Sequence, residues 1–424
     1  MKKRVVITGL GVCAPNGIGI PEFLDALRSG KSGIRFDQEL ADLHFSCQIS
    51  AKPQVSEALK RDYFTELELR NFDADGIMYG VIAGIQAWKD AGLPTDSDEP
   101  DFDSGTFFGS GTSGIGKFRE SIYKIDDKNV RRLGSTAVVQ TMASGITAYL
   151  GGKLALGNLT TTNSSACTTG TEAILSAYDR IVSGQAKRML AGSTSDSGPY
   201  IWGGFDAMRV CTFKHNEDPE NGSRPMSATA SGFVPGAGAG AILLEDLDSA
   251  LARGATIYAE VLGGNVNSGG QRGEGSMTAP NPVAVQRCIS DALKNAGIEA
   301  GDVDAINGHL TATSKDSLEI ANWVKAIGRS GSDFPYINSL KSTVGHCLSG
   351  AGSIESVAAI LQIKHQFVFP NKNCEDLHPE ISEMVASEKI PVQMIETQLN
   401  HVAKASFGFG DVNGCVIFSR FLTE

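Results

Sequence analysis

The chain has 424 residues, 41% of them hydrophobic and 20% charged, which is enough for one large core or for two ordinary domains that share one. Its 37 basic and 48 acidic side chains leave a formal charge of −11; no local basic stripe offsets it, so no nucleic-acid role is expected, and a carrier-protein partner would have to dock on a small basic island. Glycine is abundant at 49 residues and aromatics make up only 7%, a balance that suits tight strand-to-helix turns better than a disordered or fibrous chain.

Met1-Lys2-Lys3-Arg4 carries the charge of a signal-peptide start, but the apolar run behind it, Val5-Val6-Ile7-Thr8-Gly9, is too short for one and reads as a first strand. No apolar stretch reaches the roughly 18 residues of a membrane span, so a soluble, cytoplasmic protein without membrane contact is expected. Residues 80–92 are amphipathic and residues 106–108 are strand-like, the rhythm of βαβ units. Over residues 170–182, Ile174, Leu175, Tyr178, Ile181 and Val182 share one helical face; the helix stops at Gly184, and residues 188–191 form a buried strand. The glycine-rich residues 232–240 mimic a dinucleotide loop, yet they lead into a strand at 241–244, and close backbone packing is the better reading. A second pass begins near Thr256, with a strand at 257–261, a helix at 284–296 ending in Gly297, and short runs at 305–309, 336–339, 402–406 and 415–418. Both halves follow one plan, and no low-complexity linker separates them.

The eight cysteines stand singly, with no Cys-x-x-Cys pair and no His/Cys cluster at zinc spacing, so no metal site is expected and reduced thiols fit best. Asn163-Ser164-Ser165-Ala166-Cys167-Thr168-Thr169-Gly170 sets a cysteine among small residues at a helix start, where backbone N–H groups and the helix dipole favour a thiolate. Cys167 is therefore either a nucleophile or a buried structural cysteine, and a nucleophile needs a base. Two of the seven histidines stand among small and hydroxyl residues: His309 in Asn307-Gly308-His309-Leu310-Thr311-Ala312-Thr313, and His346 in Lys341-Ser342-Thr343-Val344-Gly345-His346. Ser406-Phe407-Gly408-Phe409-Gly410-Asp411-Val412-Asn413 lacks the lysine of a phosphate-binding loop and precedes a strand, so nucleotide binding is the weaker reading.

In this order the segments resemble the elongating β-ketoacyl-acyl carrier protein synthases, from the first strand to Ile417-Phe418. The resemblance implies an α/β fold of the thiolase-like kind, with duplicated βαβαβαββ halves, here 1–255 and 256–424, in five αβαβα layers. It implies a decarboxylative Claisen condensation, in which Cys167 accepts an acyl group and His309 and His346 assist loss of CO2 from a malonyl thioester. Lys341 matches the active-site lysine and Glu355 its carboxylate partner; the N–H groups of Cys167 and Phe407 match the oxyanion hole, Phe407 also the aromatic gate, and Thr311 and Thr313 the groups that hold the pantetheine arm. No cofactor would be bound, the phosphopantetheine arm coming from an acyl carrier protein, and the chain would work as a homodimer or as a heterodimer with a related synthase.

The departures bear on substrate. Leu310 replaces the glycine after the first histidine and is expected to reshape the wall beside the arm; residues 226–231 lack the family's charges together; Asp411 and Val412 replace hinge residues of the gating loop; and Arg70 stands nearly alone where a basic cluster is usual. They favour a specialised polyketide or aryl-polyene-type pathway over housekeeping fatty-acid synthesis. A chain-length-setting partner subunit is the alternative, against which the intact Cys167, His309 and His346 count; starter-unit synthases use Cys-His-Asn, which His346 disfavours.

Overall fold

The structure is a computed structural model that describes residues 3–422; Met1 and Lys2 of the charged tetrapeptide lie outside the described residues. The first half supplies strands β1 (Val5–Ala14), β2 (Ser104–Ser110), β3 (Thr160–Thr161), β4 (Arg188–Ser195) and β5 (Gly238–Asp246); the second supplies β6 (Ala259–Ser268), β7 (Ala305–Asn307), β8 (Tyr336–Asn338), β9 (His401–Gly408) and β10 (Val412–Ser419). Their order is β8-β7-β9-β10-β6-β1-β5-β4-β2-β3. Within each set the first strand pairs antiparallel with the last, the last antiparallel with the fourth, the fourth parallel with the second, and the second parallel with the third. Two sets wired alike are the mark of a duplication, and they join where Val5, Val6 and Ile7 pair with Val261, Glu260 and Ala259.

Helix α1 (Asp75–Asp90) covers β1, β5 and β4, while α3 (Pro282–Ala296) covers β6 and β10 with α4 (Asp316–Ile327) beside it. Between the sets lie α2 (Thr169–Val182) and α5 (Ala351–His365), which touch strands of both. The layers therefore alternate α, β, α, β, α, the thiolase-like arrangement that the resemblance implied. The middle layer explains the composition of its helices: every residue of α5 from Ala351 to Ile363 is buried, so no polar face is wanted. One core cluster accordingly runs from Val5 and Ile7 through Ile174 and Ile354 to Val416 and Phe418.

Boundaries follow local chemistry. Helix α3 starts two residues before the apolar periodicity, because the Asn281 side chain accepts from the N–H groups of Val283 and Ala284 and Pro282 suits the first turn; Gly297 at φ 71° ends it. Residues 238–246 form the strand β5, and the glycines leading into it pack closely on other backbone, Gly232 on Val210, Gly236 on Val344, Gly238 on Cys13 and Gly240 on Ser353, as close packing rather than a nucleotide loop requires. No helix among the described residues is long and apolar enough to cross a membrane.

The two central helices cross almost backbone to backbone. A Cβ on Gly170 would stand 2.3 Å from the Ser353 nitrogen, and one on Gly352 would stand 2.8 Å from the Thr171 nitrogen, so glycine is required at both. Gly170→Ala should destabilise the protein by roughly 1–3 kcal/mol, read as a lower thermal unfolding midpoint. Gly152→Ala, where a Cβ meets nothing within 4 Å, should not lower it.

Candidate active site

Cys167 lies in a single 3₁₀ turn, Ala166–Thr168, directly before α2. Ala166 is held at φ 50°, an unfavourable region for alanine, by a small network: the Thr169 hydroxyl donates to the Ala166 carbonyl at 2.7 Å and accepts from the Ser165 N–H at 2.9 Å. The turn aims Sγ into a cavity of about 350 Å³ that also exposes His309, His346, Thr311, Thr313 and Phe409. The other seven cysteines are buried.

His346 follows Gly345, whose φ of 63° turns the chain after the short helix Lys341–Val344. Its backbone is pinned on both sides, since its N–H donates to Val234 O at 2.7 Å and its carbonyl accepts from Gly236 N–H at 2.9 Å. Nδ1 accepts from the Leu348 N–H at 3.2 Å, so the neutral ring carries its proton on Nε2, which stands 3.2 Å from Cys167 Sγ. His309 follows β7, and its ring centre lies 5.3 Å from that of His346 at 82°. Burial, followed by the charge of Lys341, holds both imidazoles well below the ordinary histidine range, so both are neutral donors at physiological pH.

Glu319 of α4 fixes the His309 turn by accepting from the N–H groups of His309 and Leu310, each at 2.7 Å. Asp316, one turn earlier, accepts from those of Thr311 at 2.9 Å, Ala312 at 3.1 Å and Met226 at 2.9 Å. Burial pushes Glu319 up to about 7 and Asp316 up to about 6. Neither acid stood out in the sequence, although both recur at helical spacing just after the histidine motif.

Lys341 and Glu355 form a fully buried ion pair. Burial pushes the Cys167 thiol up to about 11, while the Lys341 charge and the backbone N–H groups of Phe409 and Cys167 pull it back. The positive end of the α2 dipole acts in the same direction.

The backbone N–H beside Sγ thus belongs to Phe409, not to Phe407, where the sequence motif placed the oxyanion donor and the gate. Phe407 is buried and paired with Asn413 within the β9–β10 ladder, its ring 6.2 Å from His309. Phe409 stands beyond the strand, half-buried, its ring 6.0 Å from Phe205 at the cavity wall. Phe407 and Phe409 are separated by the glycine that ends β9, and both line the cavity, but only Phe409 has left the ladder.

Leu310 also departs from expectation. It is fully buried in the core of the second half and turns away from the cavity, so it does not shape the wall beside the arm. Thr311 and Thr313 do line the cavity, their hydroxyls 3.1 Å apart. The uncharged segment is held by hydroxyls: Ser227 and Thr229 donate to Asp376, which also pairs with Arg224 at 2.9 Å. Asp411 is fully buried, and its carboxylate accepts from the N–H groups of Gln271 at 2.9 Å and Asn281 at 2.8 Å. It ties the Phe409 loop to residues 269–281, which bring Thr278 and Pro280 to the cavity wall.

Sγ of Cys167 and one ring nitrogen of each histidine lie within 4.8 Å of one another, a donor set that by type suits zinc. The tautomer of His346 opposes it: the nitrogen facing sulfur bears the proton, whereas a metal-bound histidine donates from its far nitrogen.

Residues 2–250 match the model of the β-ketoacyl synthase N-terminal domain, and residues 258–375 match that of the C-terminal domain. The 3-oxoacyl-[acyl-carrier-protein] synthase 2 of Rhizobium meliloti (strain 1021) is 32% identical, over 99% of this chain and 99% of its own length. Among solved structures, a β-ketoacyl synthase from Burkholderia phymatum STM815 superposes with a TM-score of 0.89 at 28% identity, covering 99% of this chain and 100% of that one. A type II polyketide ketosynthase solved with its acyl-carrier protein and a bound hexaketide gives a TM-score of 0.87 at 27% identity, covering 99% and 100%. With both domains matched in order and a full-length relative this similar, the chain belongs to the β-ketoacyl synthase family and is a condensing enzyme, an acyltransferase.

Proposed function

We propose that this enzyme joins an acyl group held on Cys167 to a malonyl unit delivered by an acyl carrier protein, and the observation that carries this reading is the contact of Cys167 Sγ with His346 Nε2 beside His309. In the first half-reaction Sγ attacks the thioester carbonyl; the bond from that carbon to the pantetheine sulfur breaks, and the departing thiol takes up the proton that Cys167 loses. The N–H groups of Cys167 and Phe409 face the carbonyl oxygen as it gains charge. In the second, a malonyl thioester enters and its carboxylate carbon–carbon bond breaks. CO2 leaves, and the electron pair forms an enolate whose oxygen accepts from the neutral imidazoles of His309 and His346. The enolate carbon attacks the acyl carbonyl, the bond to Sγ breaks, and the departing thiolate takes up a proton from solvent, which restores the thiol.

The arm is the carrier's own, and Thr311 and Thr313 are placed to hold it. Phe409 acts as the gate, with Lys341 and Glu355 supporting the charge of the site. The complex of a similar ketosynthase with its acyl-carrier protein supports the choice of partner. The exposed apolar side chains of Phe118, Ile122, Ile125 and Val138 suit a dimer, with a second copy or a related synthase, and eight free thiols suit the cytoplasm. The tether from Asp411 favours a specialised substrate. A chain-length-setting subunit would not need the reacting set that stands assembled here.

Cys167→Ala should abolish acyl transfer from an acyl carrier protein in intact-mass measurements; acylation that survives the change would sink the nucleophile assignment. His346→Ala should leave that acylation in place and lower condensation with malonyl carrier protein by about 10²–10³-fold, seen as product formed under single turnover. Asp411→Gly frees the Phe409 loop, and should broaden the range of acyl carriers accepted, measured as product masses across a chain-length series, with faster hydrogen exchange at residues 269–281.

A further inference from the structure

A second lysine stands behind the reacting groups. Lys404, in the middle of β9, is wholly buried, and its Nζ lies 2.7 Å from Oε2 of Glu355, whose other oxygen is taken by Lys341. Nζ also donates to the Ala405 carbonyl and, at 2.9 Å, to the Ser406 hydroxyl, which meets the Thr171 hydroxyl at 2.9 Å in the first turn of α2. A chain of polar contacts thus runs from Lys341 through Glu355 and Lys404 to the helix that begins just after Cys167.

One lysine and one glutamate would cancel; with both lysines protonated, one glutamate leaves the buried group at +1, a charge that burial opposes by lowering the Lys404 pKa while Glu355 supports it. A net charge in the interior is costly unless an anion stands near it. The groups around it are Lys341 and Glu355, Glu319 on α4, the two imidazoles, Cys167, and the thiols of Cys347 and Cys415. Of these Glu355 is already shared. The anions that can balance the charge are those the reaction creates, the Cys167 thiolate and the enolate, together with Glu319.

We propose that Lys404 is a positioning residue of this enzyme: by taking the second oxygen of Glu355 it leaves the charge of Lys341 uncancelled, and so biases the centre toward the thiolate and the enolate. The proposal rests on the assignment of Cys167 as nucleophile. The electrostatic direction is consistent, since the Glu355 charge raises the Cys167 thiol while the Lys341 charge lowers it, and Lys404 adds to the charges that keep both imidazoles neutral.

The test is the pH profile of Cys167 alkylation by iodoacetamide, located by peptide mass, in the full-length enzyme and in three variants. Lys404→Met leaves the Lys341–Glu355 pair intact with no stranded charge, Lys404→Gln keeps a donor for Ser406 without the charge, and Lys404→Arg keeps the charge. Met and Gln should each move the midpoint up by roughly one pH unit, a tenfold loss of reactivity below it, with an unchanged or higher thermal midpoint, while Arg stays near the parent. Unshifted profiles in Met and Gln, or a Gln profile like the parent's, would overturn the proposal. So would failure of the neutral variants to fold, which would make Lys404 a packing residue. If the parent is alkylated elsewhere than at Cys167, it is the nucleophile assignment that fails instead.

Discussion

The close crossing of the two central helices is the constraint on which the site depends. Because Gly170 and Gly352 let the helix backbones meet, the start of α2 and the start of α5 come together between the two sets of strands. Cys167 precedes one start and His346 the other, so residues 179 apart in sequence end 3.2 Å apart. The duplication makes this possible: each half contributes one central helix, and each helix directs its positive end at the same place.

That geometry concentrates positive potential where negative charge must appear. Two helix starts, two buried lysines and the backbone N–H groups of Cys167 and Phe409 surround a thiol whose burial works against ionisation. Burial and these charges together keep the imidazoles neutral, so they donate without bringing a proton that would quench the enolate. Desolvation, which raises the cost of the resting thiolate, also strengthens every favourable interaction once the substrate has excluded water.

Much of this was legible in the sequence. The helix after Cys167 announces itself through Ile174, Tyr178 and Ile181, and the His-containing turns follow strands of three residues that end where the motifs begin. The choice between Phe407 and Phe409 was not legible, because it depends on where β9 ends and which residue first leaves the ladder. Leu310 looked like a wall residue because its neighbours are; only the Glu319 clamp on its backbone shows that its side chain points into the core. Lys404 was hidden by its strand, Val402-Ala403-Lys404-Ala405-Ser406, although a lone charge at a central position of a buried strand was the available signal. Asp316 and Glu319 were missed for the opposite reason, since acids in a first helical turn are ordinary.

The carboxylate of Asp411 has a bearing on tempo. A swing of the Phe409 loop that displaced Asp411 would break both hydrogen bonds that its carboxylate accepts from the backbone of Gln271 and Asn281, charge-assisted bonds that are partly shielded from water. Such an opening would carry an enthalpic cost, and a bound chain would then reside longer on cooling. On the proposed reading of Phe409 as the gate, temperature would then set how often the loop opens.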